Sequence, residues 1–355
     1  MKRAFVLLSI LCLLVCGLQG YKLLRNNNTT PNPFKGKLSD IADEVIAIPL
    51  RDTGELRIKS PQNIRQEGNN LFLVSEGILY RFNREGQFIC QITQPDEIQV
   101  AGYVVNPAKK ELIVLGNTDD IFYYSFEGKL LLKKKLKSNL SEERHLYSIE
   151  WHDNQLLTTE KRIDTTQTRP IVTQEIATYD TLFRPIERKR LAAFDLRRDG
   201  QPLIHWDPLI GIEKDSGLLY AYSPHANARH LLRDTLLIQK AKELHDSALF
   251  GQDDTYPQLP LRMGSRYWIA SFNQVPNNDK DYLFCYDTRQ GHHWELKEGF
   301  TDNFYQTGHV KSLEPIDPYG ETYYYYKQGE AIKKAFPDQT TQESPIVLFL
   351  VKLRS

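Results

Sequence analysis

Ile78-Leu-Tyr-Arg-Phe-Asn-Arg-Glu-Gly-Gln-Phe-Ile-Cys-Gln-Ile92 is an aromatic-rich strand, a turn ending in Gly86, and a second strand. The same phrase returns in other letters as Asp120-Ile-Phe-Tyr-Tyr-Ser-Phe-Glu-Gly-Lys-Leu-Leu-Leu-Lys-Lys-Lys135. Weaker copies run Thr173-Gln-Glu-Ile-Ala-Thr-Tyr-Asp-Thr-Leu-Phe183 and Asp281-Tyr-Leu-Phe-Cys-Tyr-Asp-Thr-Arg-Gln-Gly-His-His-Trp-Glu-Leu296. An all-strand unit repeated along a chain cannot bury its apolar faces alone. It needs neighbours of its own kind, arranged as a stack or a ring.

Working outward from the first copy, each unit resolves into four strands. The first unit has them at 62–66, 70–75, 78–82 and 87–92, with turns at Gly68-Asn69-Asn70, Glu76-Gly77 and Arg84-Glu85-Gly86. Gly and Asn at those turns tolerate the positive φ that tight hairpins require. The second unit runs 102–105, 111–115, 121–126 and 129–135, and the third 147–151, 155–159, 174–179 and 185–191. A fourth unit falls at about 200–240, a fifth at 257–298, and a sixth opens near Tyr305. The sixth is one strand short: 309–315, 322–326 and the final run 345–353. One strand is left over at the other end, Asp43-Glu-Val-Ile-Ala-Ile-Pro-Leu50. Pairing the two removes the last exposed sheet edges. The expected fold is all-β, a six-bladed β-propeller of four-stranded antiparallel blades, closed by the N-terminal strand joining the last blade. The richness in Tyr (19) and Phe (16) fits a strand-built core. Helical spacing at 238–258 and 327–336 predicts short helices between strands.

The first twenty residues stand apart. Met1-Lys-Arg precedes the uncharged run Ala4–Val15 (AFVLLSILCLLV), which is too short to span a bilayer and reads as a secretory signal. Cys16 closes that run where bacterial lipoproteins carry their acylated Cys, although Val15 stands where a small residue is usual. The alternative is ordinary cleavage near Gly17 or Gly20. Residues 21–40 read as a flexible tether and 41–355 as the propeller. Cys90 and Cys285, the thiols of the exported part, fall in blades that are not adjacent, so both are expected free.

The 45 basic and 45 acidic side chains cancel, so no global field exists to draw in nucleic acid. Lys133-Lys-Lys135 reads as edge protection on an outer strand rather than a nucleic-acid patch.

Asn70-Leu-Phe-Leu-Val-Ser, the phrase from Ile78, Phe284-Cys-Tyr-Asp-Thr-Arg-Gln-Gly and the ending Ser344-Pro-Ile-Val-Leu-Phe-Leu-Val-Lys-Leu together resemble the six-bladed propeller proteins exported by Bacteroides-type bacteria. These are cousins of the NHL-repeat and TolB-like propellers. The resemblance covers nearly all of the mature chain. It implies an envelope protein, in the periplasm or as an outer-membrane lipoprotein, and it carries over no catalytic residue.

Candidate ligand contacts come from composition. His205-Trp206-Asp207, with Asp215 and His225 in the same unit, offers an imidazole, an indole face and a carboxylate. Trp151-His-Asp153 repeats that set one unit earlier. Such groups grip a sugar or a peptide, or ligate a metal, when they converge; otherwise Trp packs between blades while His and Asp cap turns. His292-His293 cannot share one metal from a regular strand, because neighbours point to opposite faces. The Gly-x-Ser-x-Gly elbow, the phosphate-cradling loop, His-Glu-x-x-His and Cys-x-x-Cys are missing from the sequence. The expectation is a monomeric, non-catalytic binding or scaffold module with no cofactor and no bound metal. The runner-up is a lyase or hydrolase acting on a glycan or peptide in the central channel, with metal assistance.

Overall fold

The computed structural model describes residues 34–51, 58–117, 120–135, 142–164, 171–195, 209–213, 218–222, 262–273, 281–337 and 346–355. In chain order, β1 (Ala42–Leu50) precedes blade 1, which is β2 (Gln62–Glu67), β3 (Asn70–Ser75), β4 (Ile78–Asn83) and β5 (Phe88–Gln91). Blade 2 is β6 (Val100–Asn106), β7 (Glu111–Gly116), β8 (Asp120–Ser125) and β9 (Leu130–Lys135). Blade 3 is β10 (Glu142–His152), β11 (Gln155–Asp164), β12 (Ile171–Tyr179) and β13 (Pro185–Asp195). The hairpin β14 (Leu209–Glu213) and β15 (Leu218–Tyr222) falls where a fourth blade is expected. Blade 5 is β16 (Arg262–Met263), β17 (Tyr267–Asn273), β18 (Asp281–Asp287) and β19 (His292–Lys297). A small hairpin, β20 (Phe300–Asp302) and β21 (Gly308–Val310), leads to blade 6: β22 (Glu314–Pro315), β23 (Thr322–Gln328), the helix α1 (Glu330–Ala335) and β24 (Ile346–Leu353).

Among the described residues five sheets are four-stranded and antiparallel: blades 1, 2, 3 and 5 are meanders, and blade 6 is completed by β1 in the order β1-β24-β23-β22. The closing register sets Val45 opposite Val351, Ile46 opposite Leu350 and Leu50 opposite Ile346. The expected pairing of the chain's two ends is therefore present.

Side-chain alternation explains why blades stack. Along β24, Val347, Phe349 and Val351 enter the core shared with blade 5, while Ile346, Leu348 and Leu350 enter the core shared with blade 1. The same split sends Tyr323 and Tyr325 one way and Tyr324 the other. On β3, Leu71 and Leu73 face blade 6 while Phe72 and Val74 face blade 2. Buried on both sides, middle strands read as continuous apolar runs rather than as alternating ones.

The folded body starts earlier than the tether reading placed it. Phe34 stacks on Trp294 at 4.0 Å, Leu38 is fully buried, and Gly36 accepts the Thr301 N–H at 2.7 Å. Two apolar side chains suffice to pin this polar segment onto β20, and composition averaged over the stretch hides them. The single strand read at 309–315 is instead divided between β21 and β22, because β21 pairs with β20 outside the blade. Helix α1 lies inside the stretch with helical spacing, whereas the helix expected at 238–258 lies outside the described residues. Cys90 and Cys285 are free thiols, and burial pushes both pKa values up.

Candidate functional site at the central channel

The first strands of blades 1, 2, 3, 5 and 6 line common cavities, so these strands surround the propeller axis. Three of them carry a β-bulge near the same level. Asn63 and Ile64 together oppose one residue of β3, Ala101 is extra on β6, and Tyr147 is extra on β10. Asn63 adopts φ 47° to make this turn. A bulge re-aims the side chains that follow it. Asn63, Ala101 and Tyr147 all line a narrow cavity of about 150 Å³, with Tyr103, Tyr324, Arg262 and Glu314.

The axis then widens into a mouth of about 520 Å³ on the face carrying the turns that follow the inner strands. Its wall includes Glu67, Val105, Pro107, Trp151, Ile316, Asp317 and Tyr319. Arg65 and Glu150 border both compartments and stand as the partition between them.

That partition is an ion pair. Arg65 Nη2 donates to Glu150 Oε1 at 2.5 Å, joining blades 1 and 3, and Nη1 donates to the Ile316 carbonyl of blade 6 at 2.6 Å. Both side chains are largely withdrawn from solvent. Burial works against the Arg65 charge, but the adjacent Glu150 carboxylate outweighs it, and the net pKa is raised. A second pair, Arg262 Nε to Glu314 Oε2 at 3.2 Å, links the inner strands of blades 5 and 6.

Asp317 sits beside this partition in the turn Asp317-Pro318-Tyr319-Gly320. Its Oδ1 accepts the N–H groups of Tyr319 at 2.8 Å and Gly320 at 3.0 Å. Gly320 takes φ 62°, and a Cβ there would come within 2.6 Å of Gly264 Cα in blade 5, so only glycine suits the turn. Burial raises the Asp317 pKa to about 6, overcoming those two hydrogen bonds and the nearby Arg65. A carboxyl titrating near neutrality in a cleft is a physically grounded site marker.

Of the residues singled out from sequence, Trp151 lies at the channel mouth and packs its other side on the core between blades 2 and 3. His152 and Asp153 sit at the adjoining turn, with Nε2 and Oδ2 3.3 Å apart. His205, Trp206, Asp207, Asp215 and His225 lie outside the described residues, as does Cys16. His292 and His293 are exposed on β19, the outer strand of blade 5, where His293 stacks on Phe284. Tyr323–Tyr325 are core residues. Sequence reasoning passed over Arg65, Glu150 and Asp317. The available signal was a charged residue on an innermost strand, where the ring leaves little room for water.

Comparison with known proteins supports the architecture. Residues 27–189 match the profile of the family DUF5128, described as a 6-bladed beta-propeller. The fold is a six-bladed β-propeller. A crystal structure of a protein from Bacteroides fragilis, provisionally described as exported, is similar over 88% of this chain and 95% of its own, with TM-score 0.55 and 15% identity. At that identity the likeness speaks for the fold alone. The β-propeller domain of Cps50 (Swd1) from Myceliophthora thermophila matches over 87% of this chain and all of its own at TM-score 0.42 and 9% identity, too remote to bear on the argument. No curated protein matches the chain. Among the described residues, no three His, Cys, Asp or Glu side chains converge as a metal site would require.

Proposed function

We propose that the protein is an exported binding or scaffold module of the cell envelope that receives a glycan, peptide or protein segment at the channel mouth. The observation that carries this reading is the wall of that mouth, where Trp151 and Tyr319 stand beside Arg65, Glu67, Glu150 and Asp317. Aromatic faces with a few placed polar groups are how concave sites hold and orient sugars and peptides. Export is supported by the basic and apolar N-terminal segment. Titration of the purified protein with glycan and peptide libraries, followed by intrinsic Trp fluorescence, tests the site. A ligand whose signal and affinity survive Trp151→Ala places binding elsewhere.

One observation favours the enzyme reading. Asp317, with its pKa raised to about 6, has the acidity of a general acid or base near neutral pH, and Glu150 is a second carboxylate nearby. Chromatography of the same ligands after incubation separates the two. Cleavage abolished by Asp317→Asn establishes an enzyme, whereas intact ligand that remains bound establishes the module.

The membrane tether is proposed at Cys16. Acylation there anchors the body through the stretch that ends at Phe34, so Cys16→Ser releases the protein into the soluble periplasmic fraction with unchanged melting. Wild-type protein already soluble, with a mature N-terminus beyond Gly17, leaves simple secretion.

A further inference from the structure

The outer strands of blades 1, 2 and 3 share an irregularity. In each, one extra residue follows the turn that leads into the strand. Phe82 and Arg81 pair with Phe88 and Cys90, leaving Ile89 over. Tyr124 and Tyr123 pair with Leu130 and Leu132, leaving Leu131 over. Tyr179 and Thr178 pair with Pro185 and Glu187, leaving Ile186 over. Each bulged residue is apolar and exposed, at 47%, 46% and 56% respectively. Blade 5 runs through the equivalent position without a bulge and with polar residues, His292 and His293.

Leu130, Leu132 and Leu182 extend this apolar row, all 43% exposed or more. Further along the same two strands the exposed side chains become basic: Lys133 and Lys135 on β9, Arg188, Lys189 and Arg190 on β13. Lys133 is 3.2 Å from Asp120, and Lys189 is 3.5 Å from Glu187, so Lys135, Arg188 and Arg190 supply most of the local excess in a chain of zero net charge. Glu85 and Glu127 lie at the turns below the apolar row, and Glu127 is 3.7 Å from Arg81.

We infer that the rim of blades 1 to 3 docks against an anionic phospholipid surface, with Ile89, Leu131 and Ile186 entering the interface and the basic row meeting phosphates. Bulges interrupt edge-to-edge strand pairing, which argues against an added β-strand or a second copy as the occupant. An apolar row flanked by Lys and Arg has the two components that interfacial binding needs: buried apolar area and attraction to anionic headgroups. This surface is separate from the channel.

The test uses the full chain carrying Cys16→Ser, so that no acyl group contributes and any effect of the N-terminal segment is common to all variants. Co-sedimentation is measured with vesicles of phosphatidylcholine alone and with phosphatidylglycerol added. The expected result is binding that needs phosphatidylglycerol and weakens with salt. Ile89→Ser/Leu131→Ser/Ile186→Ser should lower the partition coefficient about tenfold or more. Lys135→Glu/Arg188→Glu/Arg190→Glu should remove the preference for the anionic lipid. All these positions are exposed, and melting curves identify any variant that fails to fold; single substitutions then replace it. Equal partitioning of wild type and both variants overturns the inference. So does concentration-dependent dimerisation, measured by sedimentation, that the Ser variant abolishes, since that assigns the rim to a second copy.

Discussion

Arg65 and Glu150 reach toward each other across the propeller axis and meet at 2.5 Å, tying blade 1 to blade 3. The pair divides the narrow part of the channel from its mouth. Removing Arg65 leaves Glu150 and Asp317 as uncompensated carboxylates in a confined space. Arg65→Met should therefore cost about 3 kcal/mol, and the double variant Arg65→Met/Glu150→Gln should recover most of it. Urea midpoints decide the matter. Equal losses in the single and the double variant would show that packing, not charge, matters at this position.

Asp317 predicts a pH dependence with a definite sign. Its folded pKa of about 6 lies above the ordinary value of 3.8, so the folded state favours the protonated form. That contribution is full below about pH 4 and is lost as pH rises through about 6. Asp317→Asn keeps an oxygen for the Tyr319 and Gly320 N–H groups and removes the charge. It should stabilise the protein by roughly 2–3 kcal/mol above pH 7 and have little effect near pH 4. Thermal melts of both proteins across that range check it, and a constant difference at all pH values would refute the assignment.

Gly86 holds the turn of blade 1 against the closing strand. It has φ 79°, and a Cβ there would meet the Pro49 carbonyl at 2.1 Å. Gly86→Ala should cost about 2–4 kcal/mol, combining the left-handed backbone with displacement of β1. Gly291 has φ 67° but open space around it. Gly291→Ala should cost only about 1 kcal/mol. Denaturant titrations that rank the two in the opposite order would contradict the close approach.

Closure depends on β24. Phe349 is fully buried and stacks on Tyr325 with centroids 4.6 Å apart. Phe349→Ala should destabilise by about 3–5 kcal/mol. A chain ending before Ile346 strips the partner from both β1 and β23 and should be insoluble. Recovery of a soluble monomer with unaltered melting would mean that the ring does not need this strand.

The thiols offer a chemical check. Cys285 is fully buried and Cys90 partly so, and burial raises both pKa values. A thiol reagent at mildly alkaline pH should modify Cys90 slowly and Cys285 only after unfolding. Rapid modification of Cys285 in the native protein would mean that the core between blades 5 and 6 opens.

Most of the blade plan was written in local pattern. Phe72 and Tyr124, the turn glycines Gly86 and Gly128, and the unpaired run at Asp43–Leu50 made strands, turns and closure legible, because alternation and turn chemistry act over a few residues. Trp151 was legible as a candidate for its residue type alone. The partition at Arg65, Glu150 and Asp317 was not, since the first two lie 85 residues apart and acquire meaning only when inner strands converge. Bulges were hidden for a related reason: whether Asn63, Leu131 or Ile186 is an extra residue depends on the partner strand's register. That strands form and repeat follows from the sequence alone, because short apolar and aromatic runs bounded by Gly and Asn turns are too brief to be helices. Which charges meet on the axis is set by the fold, because Arg65 and Glu150 come together only when ring closure brings the inner strands of blades 1 and 3 around a narrow channel.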